Sequence, residues 1–355
     1  MTMNVSISSA LARRAITLGA ILAVAALTGP LALSAQSTSG WQMPRTAWGD
    51  PNLQGDWTNA TLTPFQRRGG QGPILTAEQV LAIESGQAEE VAERAAPSDP
   101  NRPPPPAGGT NPICIDGPTS CYNEVYRQPG ETVAYIDGEP RSSLVTYPAD
   151  GRVPDRTDEA GRRIEAFNAS RADFGPFDHP ELRPLAERCL VSFGSSAGPP
   201  MLPNYWYNNN YTIVQNADYV MINIEMVHDL RIIRLGEPKL LPDGLYPWFG
   251  DSWGHWEGNT LVVETTNFNP DHWFQGAPPS KERKITERFT RVGDETILYE
   301  FSIDDPVIYT GVWGGEIPFT KLEGQVYEYA CHEANYSLGN VLSGARYQER
   351  REGGR

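Results

Sequence analysis

The stretch Lys284-Ile-Thr-Glu-Arg-Phe-Thr-Arg291-Val-Gly-Asp-Glu-Thr296-Ile-Leu-Tyr-Glu-Phe-Ser-Ile303 reads as two short β-branched and aromatic runs joined by a turn. Val-Gly-Asp-Glu is hairpin chemistry, because Gly and Asp accept the backbone conformations that a tight reversal requires. The same texture extends outward to Tyr211–Gln215, Tyr219–Met226, Leu230–Leu235, Thr260–Thr266, Gly315–Leu322 and Gln325–Cys331. Asn-Ala-Asp, Glu-Gly-Asn and Glu-Gly stand in the connections. About eight strands with short connections and no helix between them predict an antiparallel sheet closed as a barrel or folded as a sandwich.

Upstream the texture is different. Trp41 to Pro64 is rich in Trp, Pro, Gly and Asn and has neither periodicity, which predicts an extended segment laid over the body. Thr76 and Gln79 form a capping box ahead of a helix to about Ala95, and the prolines of 97–112 exclude regular structure. Thr157 caps a second helical segment, and Pro180 takes the first-turn position of a third that carries Cys189. The expected organisation is a leader at 1–35, an extended and helical segment at 36–112, a helical and loop region at 113–204 and a β domain at 205–355. The fold class is mainly β, with an antiparallel barrel or sandwich in the C-terminal half. An up-and-down barrel resembling the calycins is the first expectation.

Arg13 and Arg14 precede an apolar run from Ala15 to Leu33 and small residues at Ser34 and Ala35, the pattern of a secretory signal peptide. The mature chain is therefore expected in the periplasm, with no membrane association after cleavage. Removing the leader takes the net charge from −15 to −17, which argues against nucleic acid as a partner and leaves a small molecule as the expected one. Four cysteines, Cys114, Cys121, Cys189 and Cys331, make an even set for an oxidising compartment. Three connectivities are possible; the expected one is a local bridge across the turn between Cys114 and Cys121, which leaves Cys189 to pair with Cys331.

Several blocks carry a resemblance: Trp48-Gly-Asp-Pro-Asn-Leu-Gln-Gly-Asp-Trp57-Thr-Asn-Ala-Thr-Leu-Thr-Pro64, Gly198-Pro-Pro-Met-Leu-Pro203, Glu225-Met-Val-His-Asp229, Trp256-Glu-Gly-Asn-Thr-Leu-Val-Val-Glu-Thr-Thr-Asn-Phe268 and Tyr327-Glu-Tyr-Ala-Cys-His-Glu333. In that order they resemble a large family of secreted bacterial proteins, a resemblance that brings no mechanism with it. The family pattern has Arg where this chain has His255, which weakens any essential role for that imidazole.

Five histidines frame the candidate chemistry. His228 lies between Glu225 and Asp229 at a strand end; if Val220, Ile222, Ile224 and Met226 pack outward, Asn223 and Glu225 point into a cavity with His228 at its mouth. His332 and Glu333 follow Cys331, where a disulfide would hold the imidazole rigidly. The candidate proton-transfer groups are therefore His228 and His332, with Glu225, Asp229 and Glu333 as orienting or second acid-base residues. The alternative use of both histidines and a carboxylate is a divalent metal, but the ligands are scattered and no HExxH spacing joins them, so no metal or other cofactor is expected. Asn209, Tyr211, Asp251, Trp253 and His255 are candidate substrate contacts, the last three from a Gly-rich aromatic loop; His272-Trp273 adds stacking surface. His179 before Pro180 reads as structural. The chain has no GxSxG elbow, P-loop or GxGxxG ahead of a helix, which sets aside serine-hydrolase and nucleotide chemistry. What is left is an acid-base enzyme of lyase, isomerase or hydrolase type acting on a small organic, sugar or aromatic molecule, or a calycin-like protein that captures such a ligand without turnover.

Overall fold

A computed structural model describes residues 40–95, 101, 127–192, 198–203, 207–239, 241–242, 244–333 and 335–353, with the backbone alone at Arg94 and His228. The elements below belong to the compact unit Met43–Arg355. In chain order they are β1 (Gly55–Thr58), α1 (Ala77–Ala95), β2 (Tyr135–Ile136), β3 (Glu139–Pro140), β4 (Val145–Tyr147), α2 (Asp158–Ser170), β5 (Asn210–Gln215), β6 (Tyr219–Ile224), β7 (Leu230–Leu235), β8 (Asp251–Glu257), β9 (Thr260–Thr266), β10 (Lys284–Gly293), β11 (Thr296–Asp304), β12 (Trp313–Lys321) and α3 (Ser337–Arg351).

The hairpin at 284–303 forms as expected, with Phe289 opposite Tyr299 and a register shift beside Gly293. From it the sheet runs β5-β6-β7-β8-β9-β10-β11-β12, and β1 pairs with both β5 and β12, so that among the described residues nine strands close a barrel. All contacts within it are antiparallel except β7 with β8, which the connection 236–250 makes parallel by returning the chain to the end where β7 began. The seam is shared: β1 holds Thr320 and Lys321 of β12, while β4 holds Gly314 and Gly315. A side chain at Gly315 has no room, since a Cβ there would stand 2.1 Å from the Leu144 carbonyl oxygen. Such a close approach restricts the position to glycine.

The interior is packed rather than hollow. Trp57, Tyr211, Phe289, Tyr299 and Phe319 are fully buried, with Tyr211 stacked on Phe319 at 5.1 Å and Phe289 against Tyr299 at 5.0 Å. This corrects the expected orientation of β6. Val220, Ile222 and Ile224 are buried and point inward, and Asn223 is half-buried on the other face. Burying three apolar side chains in an aromatic lumen is favourable by several kcal/mol, roughly 1.5–3 for each, so the apolar face takes the inside.

Both capping motifs form. Thr76 N–H donates to Gln79 Oε1 at 2.8 Å and Gln79 N–H donates to Thr76 Oγ1 at 3.2 Å, while Thr157 Oγ1 accepts from Ala160 N–H at 3.1 Å. Three local expectations are corrected. Gly250 to Trp256 is not a loop but largely the strand β8, because its alternating residues pair along β9. Residues 325–331 form no strand; the edge of β12 that would receive them is already held by β1 and β4. The helix expected from Pro180 is a single 3-10 turn, Pro180–Leu182, in which His179 Nδ1 accepts from Glu181 N–H at 3.2 Å. Cys189 follows in turns and is bonded to Cys331. The expected Cys114–Cys121 bridge lies outside the described residues.

Candidate functional site: a cleft at the long-loop end of the barrel

The register divides the barrel ends by loop length. The connections 216–218, 258–259 and 294–295 are tight reversals at one end, whereas 225–229, 267–283 and 305–312 crowd the other. Sites concentrate where loops are carried by a rigid scaffold. At this end a cleft of about 1130 Å³ opens between α2, the 181–192 segment and the 267–283 loop. Its walls include Phe65, Phe167, Trp248, Trp273, Leu185 and Leu190.

His272 is the imidazole in the cleft wall. Its Nδ1 stands 2.6 Å from the Trp248 carbonyl oxygen. A carbonyl only accepts, so the proton resides on Nδ1, and Nε2 is left with a lone pair. Among the described residues Nε2 makes no hydrogen bond. Burial holds the His272 pKa below the ordinary histidine value, the positive charge of Arg283 acts in the same direction, and the Trp248 bond opposes both. The imidazole is therefore neutral at neutral pH, and Phe249 packs edge-on to it at 5.5 Å. Sequence reading assigned His272 stacking only, because a loop histidine between Asp271 and Trp273 carries no sign of the Trp248 carbonyl brought to it by folding.

Behind the cleft lies the turn between β6 and β7. Glu225 is buried; its Oε2 accepts from Asn210 Nδ2 at 2.6 Å and its Oε1 from Tyr327 N–H at 3.1 Å. That carboxylate thus fastens the 323–336 segment to the barrel. Val227 has φ of 59°, a left-handed conformation that a β-branched residue adopts only under constraint. Asp229 is buried and its Oδ2 has no partner among the described residues. Desolvation pushes its pKa up to about 7, against the opposing backbone N–H of Ser192, a residue of the cleft wall.

The sign of the Asp229 effect is testable. Its folded pKa lies above the unfolded one, so the folded state binds more protons between about pH 4 and 7, and stability falls as pH rises through that window. Asp229→Asn removes the titration while keeping an acceptor for Ser192. The melting temperature of the variant relative to wild type is expected to rise from pH 4 to pH 8, by up to ~4 kcal/mol in stability. Parallel profiles for the two proteins over that range would show that Asp229 is ionised throughout.

The remaining sequence candidates do not converge on the cleft. His332 and Glu333 are exposed and neither is among the residues of its wall; the His228 side chain is not among those described. Asn209 and Tyr211 are fully buried and therefore closed to a substrate: Asn209 Nδ2 donates to the Gln128 carbonyl at 3.1 Å, and the Tyr211 hydroxyl lies in the core with its pKa raised by burial. Asp251 is buried against Arg234, whose guanidinium lies 4.1 Å from the Trp253 ring centre. His255 is exposed and 3.2 Å from Glu257 on the same strand. The Arg234 contacts join β7 to β8. Among the described residues no group of three His, Cys, Asp or Glu side chains is placed to hold a metal ion. No helix among them is long and apolar enough to cross a membrane. Arg171, Arg183 and Arg188 also lie in the cleft wall, and nothing in their sequence neighbourhood marks them.

Comparison with protein-family models, with curated proteins and with solved structures finds no match to this chain.

Proposed function

We propose that this is a secreted, periplasmic enzyme that performs acid-base chemistry, of lyase, isomerase or hydrolase type, on a small organic molecule held in the end cleft. One observation carries the reading: His272 presents a neutral imidazole with its tautomer set by Trp248 in the wall of a large cleft lined by aromatic and charged side chains. An unprotonated nitrogen with a fixed ring is what a general base requires. The packed lumen supports the cleft, rather than the barrel interior, as the place for a ligand. The Cys189–Cys331 bridge agrees with an oxidising compartment and so with export by the leader.

The test uses His272→Asn, since Asn can donate to the Trp248 carbonyl from the position of Nδ1 but has no group in place of Nε2. Purified protein is incubated with periplasm-accessible metabolite pools, and depletion is followed by mass spectrometry. The variant is expected to melt close to wild type and to turn over the depleted compound about 10² to 10⁴ more slowly. His332→Ala, at an exposed position outside the cleft wall, is expected to match wild type. Equal depletion by wild type and His272→Asn would remove His272 from the mechanism. Binding without depletion by wild type would favour capture over catalysis.

A further inference from the structure

Resting on the cleft as the binding site, we infer that its ligand is an organic anion with a planar apolar body, such as an aromatic carboxylate. The observation is the different state of three guanidiniums in the wall. Arg183 is already neutralised, with Nη2 2.7 Å from Glu187 Oε2. Arg188 and Arg171 have no ion pair or side-chain hydrogen bond among the described residues, although the chain carries far more acidic than basic groups. Arg188 is half-buried and so partly desolvated without a counter-charge, whereas Arg171 is exposed and rests on the Phe167 ring; the planar fork of Arg188 matches a carboxylate bidentately.

The aromatic side of the cleft sets the shape of the rest of the ligand. The Arg171 guanidinium lies 4.3 Å from the Phe167 ring centre, and Phe167 packs on Trp273 at 4.5 Å. This aromatic wall, with Trp248 also lining the cleft, offers apolar surface beside the cations. Glu181 and Asp271 line the cleft as well, but both are exposed to solvent, which screens their repulsion of an anion. A neutral sugar would satisfy the aromatic surface and leave Arg188 uncompensated; an aromatic carboxylate satisfies both.

The test is calorimetric titration of the mature chain with 2-naphthoate and with its uncharged counterpart 2-naphthalenemethanol. Wild type is expected to bind the carboxylate at least about tenfold more tightly, the scale of one charge-assisted hydrogen bond. Arg188→Gln should lose most of that preference while binding the alcohol as before, and Arg183→Gln should keep it. Equal affinity for the two compounds in wild type, or a preference that survives in the Arg171→Gln, Arg188→Gln double variant, would overturn the anion assignment and leave the cleft as a binding site. Failure of both compounds to bind at millimolar concentration would remove the cleft reading and this inference together.

Discussion

Replacing Glu287 with alanine is expected to destabilise the barrel by about 3–5 kcal/mol. Glu287 and Arg231 are both fully buried in the lumen, on strands that are not neighbours in the sheet. Their contact is bidentate, with Nη1 to Oε1 at 3.0 Å and Nη2 to Oε2 at 2.6 Å. The Tyr299 hydroxyl donates to Glu287 Oε1 at 2.8 Å and accepts from Met201 N–H at 2.9 Å. On the other side Arg231 approaches Ser252 Oγ at 3.5 Å, which is hydrogen-bonded to Thr265 at 2.8 Å. Removing the carboxylate leaves a fully buried guanidinium charge without its counter-charge. For a chain of this size the cost corresponds to a fall in melting temperature of roughly 4–8 °C. Arg231→Met combined with Glu287→Leu should recover most of the loss, because an apolar pair has no charge to desolvate. Denaturant unfolding of the single and double variants measures both; a single-variant cost below about 1 kcal/mol would mean that solvent reaches the pair.

The second large effect is expected for Cys189→Ser with Cys331→Ser. The bridge closes a loop spanning 142 residues, and by chain entropy its removal costs at most ~5 kcal/mol. Some of the junction survives without it, since Asn335 Nδ2 donates to the Glu187 carbonyl at 3.2 Å and Arg346 reaches Asp178 at 3.3 Å. The loss should therefore be uneven. Residues 180–192, which form one wall of the cleft, and the 323–336 segment are expected to exchange amide hydrogen faster and to become protease-sensitive, while the strands facing Glu287 stay protected. Uniform destabilisation across the barrel would show that the bridge serves global folding rather than this corner.

How far the sequence could be read depended on whether a residue's partner was close in the chain. The strands β5, β6, β7, β9, β10, β11 and β12 were legible with ends correct to within two residues, as were the Thr76 and Thr157 caps. β1 and β8 were not. Gly55–Thr58 becomes a strand because two edges, of β5 and β12, meet there. The stretch with Trp253 and Trp256 carries aromatic and glycine residues that suit a loop equally well. α3 also went unread, with no buried residue to mark an apolar face. Among the candidates, Glu225 and Asp229 were found as a pair beside one turn, and both are buried carboxylates of that turn. His332 was chosen on an expected strand that does not form. His272 and the three arginines gave no signal, because what distinguishes them is a carbonyl, a ring or a missing counter-charge supplied from elsewhere.

The sequence by itself determined the mainly β class, the hairpins with their turns and the helix caps, and it favoured the pairing of Cys189 with Cys331 among three connectivities. Each depends on local backbone preference or on elimination among few partners. Only the tertiary structure decided that the barrel is closed by a strand from near residue 55, that β6 turns its apolar face inward and that the lumen is filled around one ion pair. It also placed the open space in a cleft at the long-loop end. Those outcomes follow from competition among all the apolar surfaces for a single dry interior and among strand edges for partners, and such a competition is resolved by the whole chain at once.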